Sequence, residues 1–128
     1  MLILTLSIHI TGMYDVSADT GSARMILFDG TASGDLFQGT ILPGGVDTQL
    51  GQPDGSGCLS ARYMLEGTDR TGEKCRIFIQ NNAAFGAEET QPRIITDSAA
   101  LSFLNTAPLK GRIIAKPDSL TILIETAD

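Results

Sequence analysis

Hydrophobic and polar residues alternate one by one along most of the chain. Leu2, Leu4, Leu6, Ile8 and Ile10 take every second position of the first segment, with Thr5, Ser7 and His9 between them. A period of two marks a strand with one face buried. The pattern recurs over residues 23–28, 36–42, 46–50, 58–67, 73–81, 100–105, 111–115 and 119–126. This predicts about nine strands and no amphipathic helix. The least regular stretch, 82–97, reads as a long loop.

Two turns propose how the central strands pair. Pro53-Asp54-Gly55 presets a tight turn between residues 46–50 and 58–67, because Pro fixes φ and Gly accepts φ > 0. Placing Asp47 opposite Arg62 puts Val46 opposite Tyr63, Thr48 opposite Ala61, Gln49 opposite Ser60 and Leu50 opposite Leu59. Each face is then uniform, one apolar and one polar. A slip of one residue puts Asp47 opposite Ala61 and mixes the faces, so the first register is the expected one. The second turn, residues 67–72, pairs Leu65 with Cys75, Tyr63 with Ile77 and Ala61 with Ile79. Cys58 and Cys75 then lie roughly 20 Å apart on opposite faces, far beyond the Cα separation of about 7 Å that a disulfide spans. Two free thiols are predicted.

The chain has 128 residues, 42% hydrophobic and 19% charged, with 14 glycines. That length suits one domain over residues 1–128. Many short antiparallel strands need their edges removed, so an all-β fold is expected. A single antiparallel β-barrel of about eight to ten strands is favoured, with a β-sandwich as the alternative. A net charge of −6, with Lys and Arg scattered singly, argues against binding nucleic acid or an anionic membrane surface. The apolar start lacks a basic leader and a cleavage site and reads as a strand. No run approaches the roughly 20 apolar residues of a membrane helix. With two cysteines, the cytoplasm is the expected compartment.

Residues 30–74 carry a denser set of signals: Pro43-Gly44-Gly45 followed by Asp47, then Pro53-Asp54-Gly55, then Ala61-Arg62-Tyr63. This order resembles the small bacterial and fungal proteins grouped as domain-of-unknown-function family 3237. Asn81 or Asn82 matches a later Asn of that pattern, and Phe103-Leu104-Asn105 is similar to its C-terminal segment. Thr48 stands where the pattern often has an aromatic residue, and Ser60 where it often has an acidic one. The resemblance implies a compact β-barrel. It implies no particular activity.

The chemistry-bearing residues are few. His9 is the sole imidazole and the cysteines form no C-x-x-C pair, so neither a metal site nor a cofactor is expected. No G-x-S-x-G elbow or phosphate-binding glycine loop occurs. Asp47, Thr48, Arg62, Tyr63 and Asn81 remain as candidate ligand-binding residues. In the expected register Asp47 and Arg62 form a cross-strand ion pair, facing either solvent or a lumen. Tyr63 points into the apolar face, where its hydroxyl needs a partner, with Thr48 as further polar lining of any cavity. The leading expectation is a barrel that binds a small, largely apolar molecule. A second is a cofactor-independent isomerase, cyclase or lyase using Asp47 and Tyr63 to move a proton. A third is a structural module forming a homodimer through Ile3, Met64, Phe78 and Leu123. The residues leave open whether the protein is an enzyme.

Overall fold

A computed structural model describes residues 1–117 and 119–127. The strands are β1 (Leu2–Ala18), β2 (Gly21–Ser33), β3 (Phe37–Ile41), β4 (Gly45–Gly51), β5 (Gly57–Asp69), β6 (Lys74–Ala84), β7 (Gln91–Thr96), β8 (Leu109–Lys116) and β9 (Ser119–Thr126). They form one antiparallel sheet in the order β7-β6-β5-β3-β2-β1-β9-β8. β3 and β4 share one position in the wall, each pairing with β2 on one side and β5 on the other. The sheet closes on itself where Thr90, just before β7, bridges to Gly111 of β8 through two backbone hydrogen bonds of 2.8 and 3.0 Å. The result is an all-β barrel, and closure leaves few strand edges bare.

Two elements differ from the sequence pattern. Residues 91–96, expected within a loop, form β7, because Pro92, Ile94 and Thr96 alternate inward with Gln91, Arg93 and Ile95 outward. Residues 100–105, expected as a strand, instead form a turn and a short 3-10 helix at Ser102–Asn105. Leu101 and Leu104 of that segment are buried and stopper one end of the barrel. Asn105 fixes the segment to β7, its Oδ1 accepting from Thr96 N–H at 2.8 Å.

The register between β4 and β5 also differs. Asp47 lies opposite Ala61, with Val46 opposite Arg62, Thr48 opposite Ser60, Gln49 opposite Leu59 and Leu50 opposite Cys58. The turn decides this. Gln52 and Ser56 close the hairpin around three residues, Pro53, Asp54 and Gly55, with Gln52 N–H donating to Ser56 O at 2.7 Å. Gly55 takes φ +90°, the left-handed conformation that such a loop requires. An odd loop makes the paired residue numbers sum to an even total, which excludes Asp47 opposite Arg62. The β5–β6 turn has the same build: Asp69 N–H donates to Glu73 O around Arg70, Thr71 and Gly72. Here Leu65 pairs with Ile77, Tyr63 with Ile79 and Ala61 with Asn81, two residues from the expected register. A shift of two preserves the faces, so Tyr63, Leu65, Cys75, Ile77 and Ile79 are all buried, as the pattern requires.

Val46 and Leu50 thus face outward rather than into the core, and Leu50 is 47% exposed. Ile3, expected on the outside as a dimer contact, is 1% exposed, because the pairing of β1 with β9 shifts register between Leu2 and Leu4. Cys58 and Cys75 are both free. Among the described residues, no helix is long and apolar enough to cross a membrane.

Candidate functional site

Register places the inner face of the wall in successive rows. One row runs Met13, Ile26, Asp47, Ala61, Asn81 and Pro92 across six chain segments. The next row towards the β1–β2 turn runs Asp15, Arg24, Gln49, Leu59 and Ala83. Below them, towards the stoppered end, lie Tyr63, Ile79 and Ile94, all buried. The two ends of the barrel differ sharply. Side chains fill the end around Leu4, Leu65, Ile77, Leu101 and Ile124, which are fully buried. At the other end, Ile10, Met13 and Ile113 share the inner face with buried neighbours, yet are 43%, 48% and 44% exposed. That end is an open cup whose inner face mixes these apolar side chains with Asp15, Arg24 and Gln49.

The cup opens because its walls are unequal. β9 pairs with β1 only through Ile8, whereas β1 and β2 continue together to Ala18 and Gly21. The wall from β1 to β6 is tall, and the wall of β8 and β9 is short.

Among the described residues, four buried polar atoms of this region have no hydrogen-bond partner: Asp47 Oδ1, Tyr63 Oη, Asn81 Oδ1 and Thr90 Oγ1. They come from four places in the chain and converge through the register. Asp47 and Asn81 flank Ala61, and Tyr63 lies two residues further along the same strand as Ala61. Thr90 and Asn81 meet at Gly111: a Cβ there would strike Thr90 Oγ1 and lie 3.5 Å from Asn81 Nδ2. Glycine at 111 thus keeps the space between them clear. Unpartnered buried polar groups are uncommon in folded proteins, and each costs about 1–3 kcal/mol. Four such groups converge on one wall.

Asp47 is half-buried, and desolvation raises its pKa above the usual carboxylate value, partly offset by a hydrogen bond from Gln49 Nε2 to Oδ2 at 3.1 Å. The Tyr63 hydroxyl is driven well above its ordinary range by burial. Its ring stands edge-on to Phe28, with centroids 5.4 Å apart. Above Gln49, Asp15 and Arg24 pair across β1 and β2 at 3.3 Å. Together with Ser17, Ser22, Gly51 and Phe85 they surround a recess of about 300 Å³ at the rim. The Phe85 ring lies so close over Gly57 that a side chain there would meet it.

The sequence-derived candidates divide. Asp47, Tyr63 and Asn81 share the inner face, Tyr63 and Asn81 buried and Asp47 half-buried. Thr48 and Arg62 do not: Thr48 pairs with Ser60 and Arg62 with Val46, on the outer face. The expected Asp47–Arg62 ion pair is therefore absent, and Asp47 points inward. Gln49, Phe28 and Thr90 join the site without having been singled out. The signal for Gln49 was its spacing of two from Asp47, once parity is right. Thr90 had none, because the bridge to Gly111 spans residues with no local pattern. Among the described residues, no three His, Cys, Asp or Glu side chains converge as a metal-ligand set.

Residues 2–103 match the family described as protein of unknown function (DUF3237). The chain belongs to that family. The UPF0311 protein of Clostridium acetobutylicum is 43% identical over 56 residues, which is 44% of this chain and 33% of that protein, so the match spans about a third of the relative's length. Among solved structures, a protein of unknown function from Clostridium acetobutylicum superposes with a TM-score of 0.80 at 23% identity, covering 97% of this chain and 93% of that one. A beta-barrel-like protein from Acinetobacter baumannii gives 0.79 at 19% identity over 98% and 92%. A structure described as an enzyme from Penicillium herquei gives 0.74 at 18% identity over 98% and 92%. These likenesses establish the barrel for this DUF3237 member.

Proposed function

We propose that the open end of the barrel binds a small molecule with a largely apolar body, which enters the cup and hydrogen-bonds to the inner wall. The observation that carries this reading is the set of four unpartnered buried oxygens on Asp47, Tyr63, Asn81 and Thr90. A wall of this kind is costly when empty and is satisfied when a ligand supplies the missing partners. The exposed inner-face residues Ile10, Met13 and Ile113 give the ligand body its apolar contact. The test is a small-molecule screen by thermal shift on the wild type, Tyr63→Phe and Asp47→Asn. Hits whose shift shrinks in either variant support the cup. Hits that shift all three proteins equally place binding elsewhere.

One observation favours a second reading, a cofactor-independent isomerase, cyclase or lyase. Asp47 is a carboxylate whose proton affinity is raised by burial, within the same wall as Tyr63. Such a group is a candidate for general acid–base work. The Penicillium herquei relative is described as an enzyme, and that likeness supports this reading at the level of fold alone. Turnover of a bound hit, lost in Asp47→Asn with binding retained, distinguishes this reading from simple binding.

A further inference from the structure

The geometry points to a ligand that presents a protonated amine to the Asp47–Asn81 wall. This rests on the reading of the cup as a small-molecule site, and it specifies the group that the wall selects. All four unpartnered atoms are oxygens. The carbonyl oxygen of Asn81 can only accept, and so can the Asp47 carboxylate when ionised, while the hydroxyls of Tyr63 and Thr90 can accept as well as donate. Two of the four, the oxygens of Asp47 and Asn81, therefore need a donor from outside. An ammonium group brings three in one atom.

Charge agrees with the hydrogen-bond count. Asp47 carries the one formal charge of its row, and its hydrogen bond comes from the neutral Gln49 amide. The nearest cation on the inner face by register is Arg24, one row away and already paired with Asp15. The carboxylate is thus held inside the cup without a counter-ion, which an incoming ammonium would supply.

Spacing agrees too. Asp47 and Asn81 lie on strands either side of Ala61, so their Cα atoms are separated by two strand spacings, about 10 Å. Ala61 puts only a methyl group between them. A single ammonium nitrogen bound over that methyl would bond each oxygen at about 2.8 Å. The Phe28–Tyr63 ring pair sits below this position and offers aromatic surface to a cation.

Other head groups fit less well. A carboxylate would face Asp47 on a protein of net charge −6. An alcohol offers one donor and so satisfies only one of the two acceptor-only oxygens. The ligand class is a primary amine on a compact apolar body.

The test is calorimetric titration of the intact protein at pH 7 with cyclohexylmethylamine, cyclohexylmethanol and cyclohexanecarboxylate, on the wild type, Asp47→Asn and Tyr63→Phe. The expected result is that the amine binds the wild type at least about tenfold more tightly than the alcohol, with the carboxylate weakest. Asp47→Asn, nearly the same shape, should erase that preference. The amine assignment is overturned if the alcohol or the carboxylate binds as tightly as the amine, or if the preference survives Asp47→Asn. Alcohol binding that matches the amine and weakens in Tyr63→Phe sinks the amine alone and leaves the cup standing. Failure of all three probes at millimolar concentration counts against both readings.

Discussion

Asp47 and Asn81 lie two strands apart in one row of the inner wall, with the methyl group of Ala61 between them. Neither carboxylate Oδ1 nor amide Oδ1 has a partner in the fold. The small residue between them is therefore as much a part of the candidate site as the polar ones.

Filling the space over that methyl should close the site. Ala61→Leu is expected to weaken binding of a cup ligand more than tenfold, at an overpacking cost of about 1–3 kcal/mol at this buried position. Titration with cyclohexylmethylamine, paired with urea denaturation, checks this. Unaltered binding would show that ligands do not pass over Ala61.

Tyr63 gives a test in stability. Its hydroxyl is buried and unpartnered, so removing it takes away a desolvated group and no hydrogen bond. Tyr63→Phe should be neutral or up to about 1–2 kcal/mol more stable than the wild type in urea titrations. A clear loss of stability would mean that the hydroxyl has a partner.

Two carboxyl groups should respond to pH in opposite senses. Asp47 has its folded pKa raised above 3.8 by burial, so its ionised form disfavours the folded state. That cost is present at neutral pH, eases as pH falls through the raised value, and is gone below 3.8. Its charged neighbours on the cup wall are Asp15 and Arg24, which are paired with each other. Asp47→Asn should therefore stabilise the protein at pH 7 and make no difference near pH 3. Asp69 is the reverse: hydrogen bonds from the Thr71 hydroxyl and then the Ser98 hydroxyl lower its pKa to about 2. Its contribution is present above the ordinary value of 3.8 and is lost as pH falls towards 2. Asp69→Asn should destabilise at pH 7, with the difference closing between those two values. Denaturant midpoints for both variants at pH 7, 5 and 3 decide the matter. A loss for Asp47→Asn at pH 7 would sink the account of an unpaired carboxylate.

The cysteines offer a cheap check on the faces of β5 and β6. Cys58 is exposed and Cys75 is buried. A thiol reagent should modify one residue promptly in the native protein and the second only after unfolding. Burial and the nearby Asp69 and Asp97 carboxylates raise the Cys75 thiol pKa further, which slows its reaction. Prompt modification of both would contradict the packing around Cys75.

Much of the barrel was legible in the alternation of residue types. Tyr63, Leu65, Ile77 and Ile79 share a buried face because their spacing of two demands it, and the error of two in the β5–β6 register left that face intact. The site was harder to read. Uniformity of faces argued for an outward Asp47 beside Arg62, because burying a carboxylate with no counter-ion contradicts the ordinary rule for a core. The protein breaks that rule at one wall, and sequence patterning mistakes such a breach for a wrong register. β7 escaped notice for a related reason: Pro92 and the polar residues around it obscure a strand whose inward positions are Pro92, Ile94 and Thr96.

The three-residue loop Pro53-Asp54-Gly55 has a consequence for the variation this chain can tolerate. Because the loop sets whether paired residue numbers sum to an even or an odd total, the insertion or deletion of one residue there would turn β4 over relative to β5. Asp47 and Gln49 would leave the cup, and Thr48 and Leu50 would enter it. A change of two residues would restore the faces. Length polymorphism at this hairpin should therefore come in pairs in any lineage that keeps the site, and a single-residue indel should mark a lineage that has abandoned it.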